Sequence, residues 1–447
     1  MTDMTPAWTP YADPNGLWFN TTDADASGQV LAGGTFEFDT TGAFGLTLLN
    51  AADGSVLRQD LWEPQPTDGV FWVKLSADGS IAAAGGWQTM DSGSGTYVGR
   101  LRVIRVADGF VMLDQATGSR VNQIAMSADG RWLAAGCGAT YSGTGQQIYL
   151  YELNGDTYTA LGGFTSAANS IQTLAMSDDG KWILAGLYGS PSVILFQNID
   201  RMLVEFATWN IPATSRASGA EPEAFDTRRA VREHRAALKA RNALGTEPEA
   251  GSSGAYIKFV TITPDGSAMA AAMSGTNGVA FFTRDTFIST KQPDWTFAPA
   301  NITTSSNLSI AADRSFVVLG SNGKTTVKGP SGEDLPAGAI TRINNLGTSG
   351  AQAWQTLVEY DPNPCNHMLA WSDQVLSFGT GEPKTGGLTE GRFYVLRASD
   401  GAILGRYATG VMNWPFQMSA NGQFAIGGSD DGHLYGFNAR GNWDDAV

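Results

Sequence analysis

The densest run of chemically active side chains is "EAFDTRRAVREHRAALKARNALG", residues 223–245. Arg228, Arg229, Arg232, Arg235, Lys239 and Arg241 all fall inside it, six of the chain's 28 basic residues. "GAEPEA" (219–224) and "GTEPEA" (245–250) bracket the run, with proline near its start and Gly245 just past its end, which predicts a helix. Phe225, Val231, Leu238 and Leu244 make only a patchy apolar stripe. Such a helix can rest by charge on the chain's own acidic surface, or recruit an acidic partner or subunit; contact with phosphate or anionic lipid is the weaker alternative.

Other chemistry is sparse. "DADASG" (23–28) has the carboxylate spacing that opens a calcium loop, but no glutamate closes it at the twelfth position. His234, His367 and His433 are the only histidines, and no two lie close enough in sequence to argue a ligand pair. Cys137 and Cys365 are the only cysteines; two distant thiols make neither a disulfide framework nor a four-cysteine zinc site. No Gly-x-Ser-x-Gly, His-Glu-x-x-His, phosphate loop or dinucleotide fingerprint occurs. Trp62, Trp87, Tyr97, Tyr141, Trp354 and Trp414 stand near long connections. They are candidates either for lining a binding surface or for packing between repeats.

What positions these groups is a repeat. "VKLSADGSIAAAGG" (73–86), "IAMSADGRWLAAGCG" (124–138) and "LAMSDDGKWILAGLYG" (174–189) are near copies, and weaker copies start near 21, 260, 308 and 416. The turn glycine falls at Gly28, Gly79, Gly130, Gly180 and Gly266, at Arg314 in its place, and at Gly422. The steps between these positions are 51, 51, 50, 86, 48 and 108. The step of 86 is one unit plus an insert of about 36 that holds the basic run. The step of 108 is two units, with "NPCNHMLAWSD" (363–373) as the expected core of the hidden one.

Each of the eight units runs strand, Asp-Gly turn, strand rich in Ala and Gly, then two more strands with their own turn, as in "LRVIRVADGFVMLDQ" (101–115). The expected fold is all-β: one eight-bladed β-propeller of four-stranded antiparallel blades over 1–447, with a helical insert near 211–254. Unit eight lacks a fourth strand, and "PAWTPYAD" (6–13) resembles the fourth strand "PDWTFAPA" (293–300). The N-terminal strand is therefore expected to close the ring.

The pattern strand–"SADG"–strand–"AAG"–strand–"ADG" resembles the WD-repeat-like and quinoprotein-dehydrogenase-like propellers over nearly the whole chain outside the insert. The Gly-His and Trp-Asp pairs of a WD repeat do not recur, and only "ADGSVLRQDLW" (52–62) comes near the docking tryptophan of quinone-binding propellers. The resemblance implies the fold and not the chemistry.

In a propeller, the first-to-second and third-to-fourth turns share one rim, and the other connections share the opposite face. The first set reads as uniformly tight, with Asp78-Gly79, Asp129-Gly130 and Asp400-Gly401 among its turns. The long connections, including 34–45, 87–97, 137–147, 211–254, 337–352 and 378–391, all read as belonging to the second. Function is expected on that elaborated face.

A formal charge of −15 argues against nucleic-acid or membrane binding across the whole surface. No run approaches ~18 apolar residues and the first residues carry no secretory pattern, which leaves cytoplasm as the default. The sequence favours a non-catalytic scaffold that binds a protein partner through its loop-rich face and basic insert, with no cofactor. The rivals are a quinoprotein-like or lactonase-like enzyme with a metal or cofactor in the axial funnel, and a carbohydrate or small-ligand binder.

Overall fold

In a computed structural model of the chain, the repeated turn is closed by its own side chains. Ser76 Oγ donates to Asp78 Oδ1 (2.7 Å) and accepts from the Ile81 amide (3.0 Å), and Asp78 Oδ1 accepts from the Ser80 amide (3.0 Å). Ser127 with Asp129, Ser177 with Asp179, Thr263 with Asp265 and Ser419 with Asn421 repeat the pair. Gly180 shows why glycine follows: its φ is 70°, and a Cβ there would meet Trp132 of the preceding repeat at 2.3 Å. Arg314 holds the same left-handed geometry, at φ 67°, in the repeat that lacks glycine.

The structure describes residues 2–36, 44–62, 69–91, 96–138, 146–165, 170–188, 192–211, 256–274, 278–329, 332–360, 375–381 and 391–438. These form eight four-stranded sheets. Blade 1 is Trp18–Ala24, Val30–Phe36, Gly45–Asn50 and Val56–Leu61, from the axis outwards. Blade 2 is Val70–Leu75, Ile81–Asp91, Thr96–Arg105 and Val111–Thr117. Blade 3 is Val121–Met126, Trp132–Cys137, Ile148–Asn154 and Thr157–Phe164. Blade 4 is Ser170–Met176, Trp182–Tyr188, Ser192–Ile199 and Met202–Asn210. Blade 5 is Tyr256–Ile262, Ala268–Ser274, Gly278–Thr283 and Trp295–Phe297. Blade 6 is Ile302–Ile310, Phe316–Lys328, Asp334–Asn345 and Gly350–Glu359.

The last two blades use the N-terminus. Blade 8 is Asn413–Met418, Phe424–Ser429 and His433–Asn438, and Tyr11–Ala12 supplies its outer strand by antiparallel pairing, as the sequence led us to expect. Blade 7 shows Val375–Thr380, Arg392–Arg397 and Ile403–Ala408, with Thr2–Asp3 paired parallel outside them. Asp400-Gly401 joins a third to a fourth strand elsewhere in the repeat, so Val375–Thr380 is a second strand. Its first strand, expected at 363–373, lies outside the described residues, as does the basic insert.

Neighbouring blades interlock because the second strand is small where the next blade's first strand is branched. A Cβ on Gly85 would meet Val121 at 2.5 Å, on Gly136 Ile171 at 2.6 Å, and on Gly186 Ile257 at 2.4 Å. The inner strands also have a bare edge toward the axis, and the preceding blade satisfies it. Thr21 Oγ1 accepts from the Val73 amide (3.2 Å), Asp23 from Leu75 (2.8 Å), Gln123 from Leu174 (2.9 Å) and Thr173 from Val260 (3.0 Å). The ring closes at Thr22 Oγ1, which donates to the Ile426 carbonyl of blade 8 (3.3 Å).

Two expectations fail. Residues 337–352 are not a long connection on the elaborated face. They run through the third strand of blade 6, a turn at 346–349 and the start of its fourth strand, on the opposite rim. The tight-turn rim is also not uniform, because a helix, Arg284–Thr290, joins the third and fourth strands of blade 5. Phe287 explains it: buried against Phe282 (ring centroids 4.6 Å apart), it fills core space that a hairpin turn would leave empty.

Candidate functional site at the loop-rich mouth

Each described first strand carries an extra residue that its partner strand cannot pair, at the same place in every blade, and blade 6 carries a second between Ile302 and Thr304. The register shifts between Phe19 and Thr21, Val70 and Trp72, Val121 and Gln123, Ile171 and Thr173, Ile257 and Phe259, Ser305 and Asn307, and Asn413 and Phe416. A bulge frees its extra residue from the ladder and re-aims the chain locally. Here it falls early in strands that enter from the loop-rich face, so the bulges ring that mouth of the channel. The residues in the ring are Asn20, Phe71, Asn122, Gln172, Lys258, Ser306 and the Trp414–Pro415 pair. Each, with Trp414 standing for the pair, lies eight positions before its turn glycine or the equivalent residue.

The ring is aromatic, amide-bearing and cationic, and its blade 2–4 sector is held firmly. The Arg120 guanidinium lies 4.9 Å from the Phe71 ring centroid and 5.4 Å from that of Trp87. Its Nε donates to Asn122 Oδ1 (2.7 Å), and Asn122 Nδ2 donates to the Ile171 carbonyl of blade 4 (2.7 Å). Phe71, Arg120, Asn122, Gln172 and Lys258 remain half-buried, so part of each faces solvent. Asn20 is buried, and among the described residues its Oδ1 has no hydrogen-bond partner.

On the blade 8 side, the Trp414 indole donates to Asp430, whose own amide donates to the Met412 carbonyl (3.0 Å). Burial pushes the Asp430 carboxyl up to about 7; the Trp414 hydrogen bond pulls the other way, and the Asp431 charge adds to the rise. Asp431 accepts from the Tyr435 hydroxyl (2.5 Å), and His433 Nδ1 lies 3.3 Å from its carboxylate.

The tryptophans named from the sequence are mostly packing residues. Trp62 is buried against Phe44, with Arg100 over its ring at 5.3 Å. Trp87 is buried beneath Arg120, and Trp414 is buried beside Asp430. Trp354 sits away from the loop-rich mouth: its indole donates to the Ala398 carbonyl (2.9 Å) at the start of blade 7's tight turn, where Gly401 leaves room for the ring. Tyr97 lies in the strand Thr96–Arg105, with its side chain outside the described set. Tyr141 and all six basic residues, Arg228 to Arg241, lie outside the described residues.

The carboxylates of "DADASG" serve the architecture. Asp25 Oδ1 accepts from the Gln29 and Val30 amides (2.7 and 2.8 Å), and Asp23 pairs with Lys74 of blade 2 (3.0 Å). Among the described residues no group of three or more His, Cys, Asp or Glu side chains could hold a metal ion. The bulge ring was missed in the sequence, although a signal existed. Asn20, Phe71, Asn122, Gln172 and Lys258 share one position of the repeat, and four of the five are polar in strands whose cores are apolar.

No family model matches the chain, and no curated protein matches it. Solved structures do. The chain is similar to Chaetomium thermophilum Sqt1 bound to the N-terminus of the ribosomal protein L10, with a TM-score of 0.60, 10% identity, and coverage of 98% of this chain and 100% of that one. It is similar to Chaetomium thermophilum Sqt1 alone at a TM-score of 0.59 and 10% identity, covering 98% of both chains. At that identity the likeness shows the fold alone: this chain is an eight-bladed β-propeller.

Proposed function

We propose that the protein is a non-catalytic scaffold that binds a segment of a protein partner across the loop-rich mouth, on the ring of bulged residues. The ring itself carries the reading. Seven inner strands each give up one ladder position at the same level, and half-buried aromatic, amide and cationic groups collect there. Such a mixture suits a peptide, whose backbone meets amides and whose side chains meet an aromatic and a cation. The solved Sqt1 complex, a propeller holding the N-terminus of another protein, supports the class of partner. The basic run from Arg228 to Arg241 joins the proposal as a recruiter of acidic surface, since the insert leaves blade 4 after Asn210 and re-enters blade 5 just before Lys258.

Quantitative mass spectrometry of proteins co-purified from the native host tests this. Phe71→Ala with Lys258→Glu should remove the main partner at least tenfold while leaving thermal unfolding within a degree or two. Reversing Arg228, Arg229, Arg232 and Arg235 to Glu should weaken the same partner. Retention by both variants would refute the reading.

A further inference from the structure

The N-terminal arm does more than complete blade 8. We propose that the outer edge of blade 7, the strand Ile403–Ala408, is a strand-addition site for an extended peptide, which residues 2–4 close in cis. This surface is distinct from the loop-rich mouth and does not depend on it.

Thr2 pairs with Gly405 and Asp3 with Arg406, the one parallel pairing among the described strands. The Met4 amide then donates to the Arg406 carbonyl (2.8 Å), and its side chain is buried in a cluster that includes Phe393, Val395, Phe416 and Phe437. The edge therefore offers what strand-addition sites offer: main-chain hydrogen bonds along a bare strand, and an apolar socket one residue beyond. Its occupant is of stated chemistry, two residues laid parallel to Gly405 and Arg406 followed by a Met-like side chain.

The strap is weakly fastened. Two paired residues and one buried side chain do little more than offset the entropy of ordering the segment. Asp3 is 89% exposed and 3.7 Å from Arg406, a surface pair of little worth, and Arg406 keeps a second carboxylate, Glu359 of blade 6 (3.4 Å). Beyond Met4 the arm is fastened again. The Ala7 amide donates to Gly436 (2.8 Å), the Trp8 indole donates to Ala51 of blade 1 (3.1 Å), and Tyr11 and Ala12 pair with Leu434 and His433. Trp8 packs where glycines 54 and 436 leave space for it. Residues 2–4 can leave while this second clasp keeps the ring shut.

The probe is a fluorescent peptide of sequence Met-Thr-Asp-Met-Thr-Pro, titrated into the intact chain and into full-length Met4→Asp. The variant should bind it at least tenfold more tightly than the intact chain does, and a peptide whose second methionine is aspartate should lose that binding. Equal affinities, or no binding to the variant, would overturn the proposal. Hydrogen exchange on the unaltered protein supplies a readout independent of the variant's folding. The Met4 amide should exchange at least tenfold faster than those of Ala7 and Asp13, which donate to Gly436 and Gly432. A Met4 amide as slow as these would equally overturn it.

Discussion

The amide of Ala26 donates to the carbonyl of Ala77 in the next blade, at 3.0 Å. Ala77 does the same to Ala128 (2.8 Å), Ala128 to Asp178 (2.9 Å) and Asp178 to Pro264 (2.8 Å), while Asn421 of blade 8 donates to Ala26 (3.2 Å). The tight-turn rim is thus laced by backbone hydrogen bonds from blade 8 round to blade 5. The relay stops at Pro264 for a chemical reason, since proline has no amide hydrogen to pass on.

Pro264 also shows that this position tolerates proline, which makes Ala77→Pro a clean probe of one link. The substitution deletes the hydrogen bond to Ala128 without forcing a foreign backbone angle. It should cost about 1 kcal/mol, partly offset by a stiffer unfolded chain. Denaturant unfolding reads the difference; a variant stabilised by the full proline stiffening, about 0.4–1 kcal/mol, would mean that the rim lacing contributes nothing.

Arg314 holds a left-handed φ of 67° that glycine adopts freely in the other repeats. Arg314→Gly should therefore stabilise the fold by about 1 kcal/mol. Gly180→Ala should do the reverse and cost more, because it adds a Cβ facing Trp132 at 2.3 Å to the conformational penalty. Thermal unfolding of the pair should move in opposite directions.

Asp430 gives a pH signature. Its folded pKa of about 7 lies above the ordinary carboxylate value near ~4, so the folded state holds its proton more tightly than the unfolded one. The stabilisation is complete below pH ~4 and is lost as pH rises through about 7. Asp430→Asn keeps an acceptor for the Trp414 indole and removes the charge. It should exceed the wild type in stability at pH 8 by about 1 kcal/mol or more, and the two should converge below pH ~4. Melting curves that stay parallel from pH 4 to 8 would contradict this.

At the acid end, the turn aspartates act the other way. The Ser267 and Thr263 hydroxyls hold Asp265 down at about 2, and hydrogen bonding by Arg105 and the Phe110 amide holds Asp108 at about 2. The stability they supply is present above pH ~4 and disappears as pH falls toward 2. Asp265→Asn should flatten the acid limb of the stability profile, and an unchanged limb would argue that the turn network is dispensable.

Most of the repeats were legible because the turn couples a short side-chain acceptor to a positive φ, which glycine supplies at six of the seven described first-to-second turns and Arg314 at the other. The clasp by Tyr11–Ala12 was legible from the likeness of "PAWTPYAD" to "PDWTFAPA". Thr2–Asp3 was not, since a two-residue parallel strand has no periodicity to detect. Trp354 was misplaced because "AGAITRINNLGTSGAQ" mixes Gly and Asn into what is a strand and a hairpin, and its register shift between Arg342 and Ile343 hides the alternation. The bulge ring escaped because a bulge is a property of pairing between strands and not of a motif within one.

Hydrogen-exchange footprinting of the protein with and without its co-purified partner tests the central claim most directly. Protection should concentrate on the inner-strand segments around Asn20, Phe71, Asn122, Gln172 and Lys258, and leave the turns at Asp129, Asp179 and Asp265 unchanged. Protection of those turns, with the mouth segments unaltered, would contradict the account.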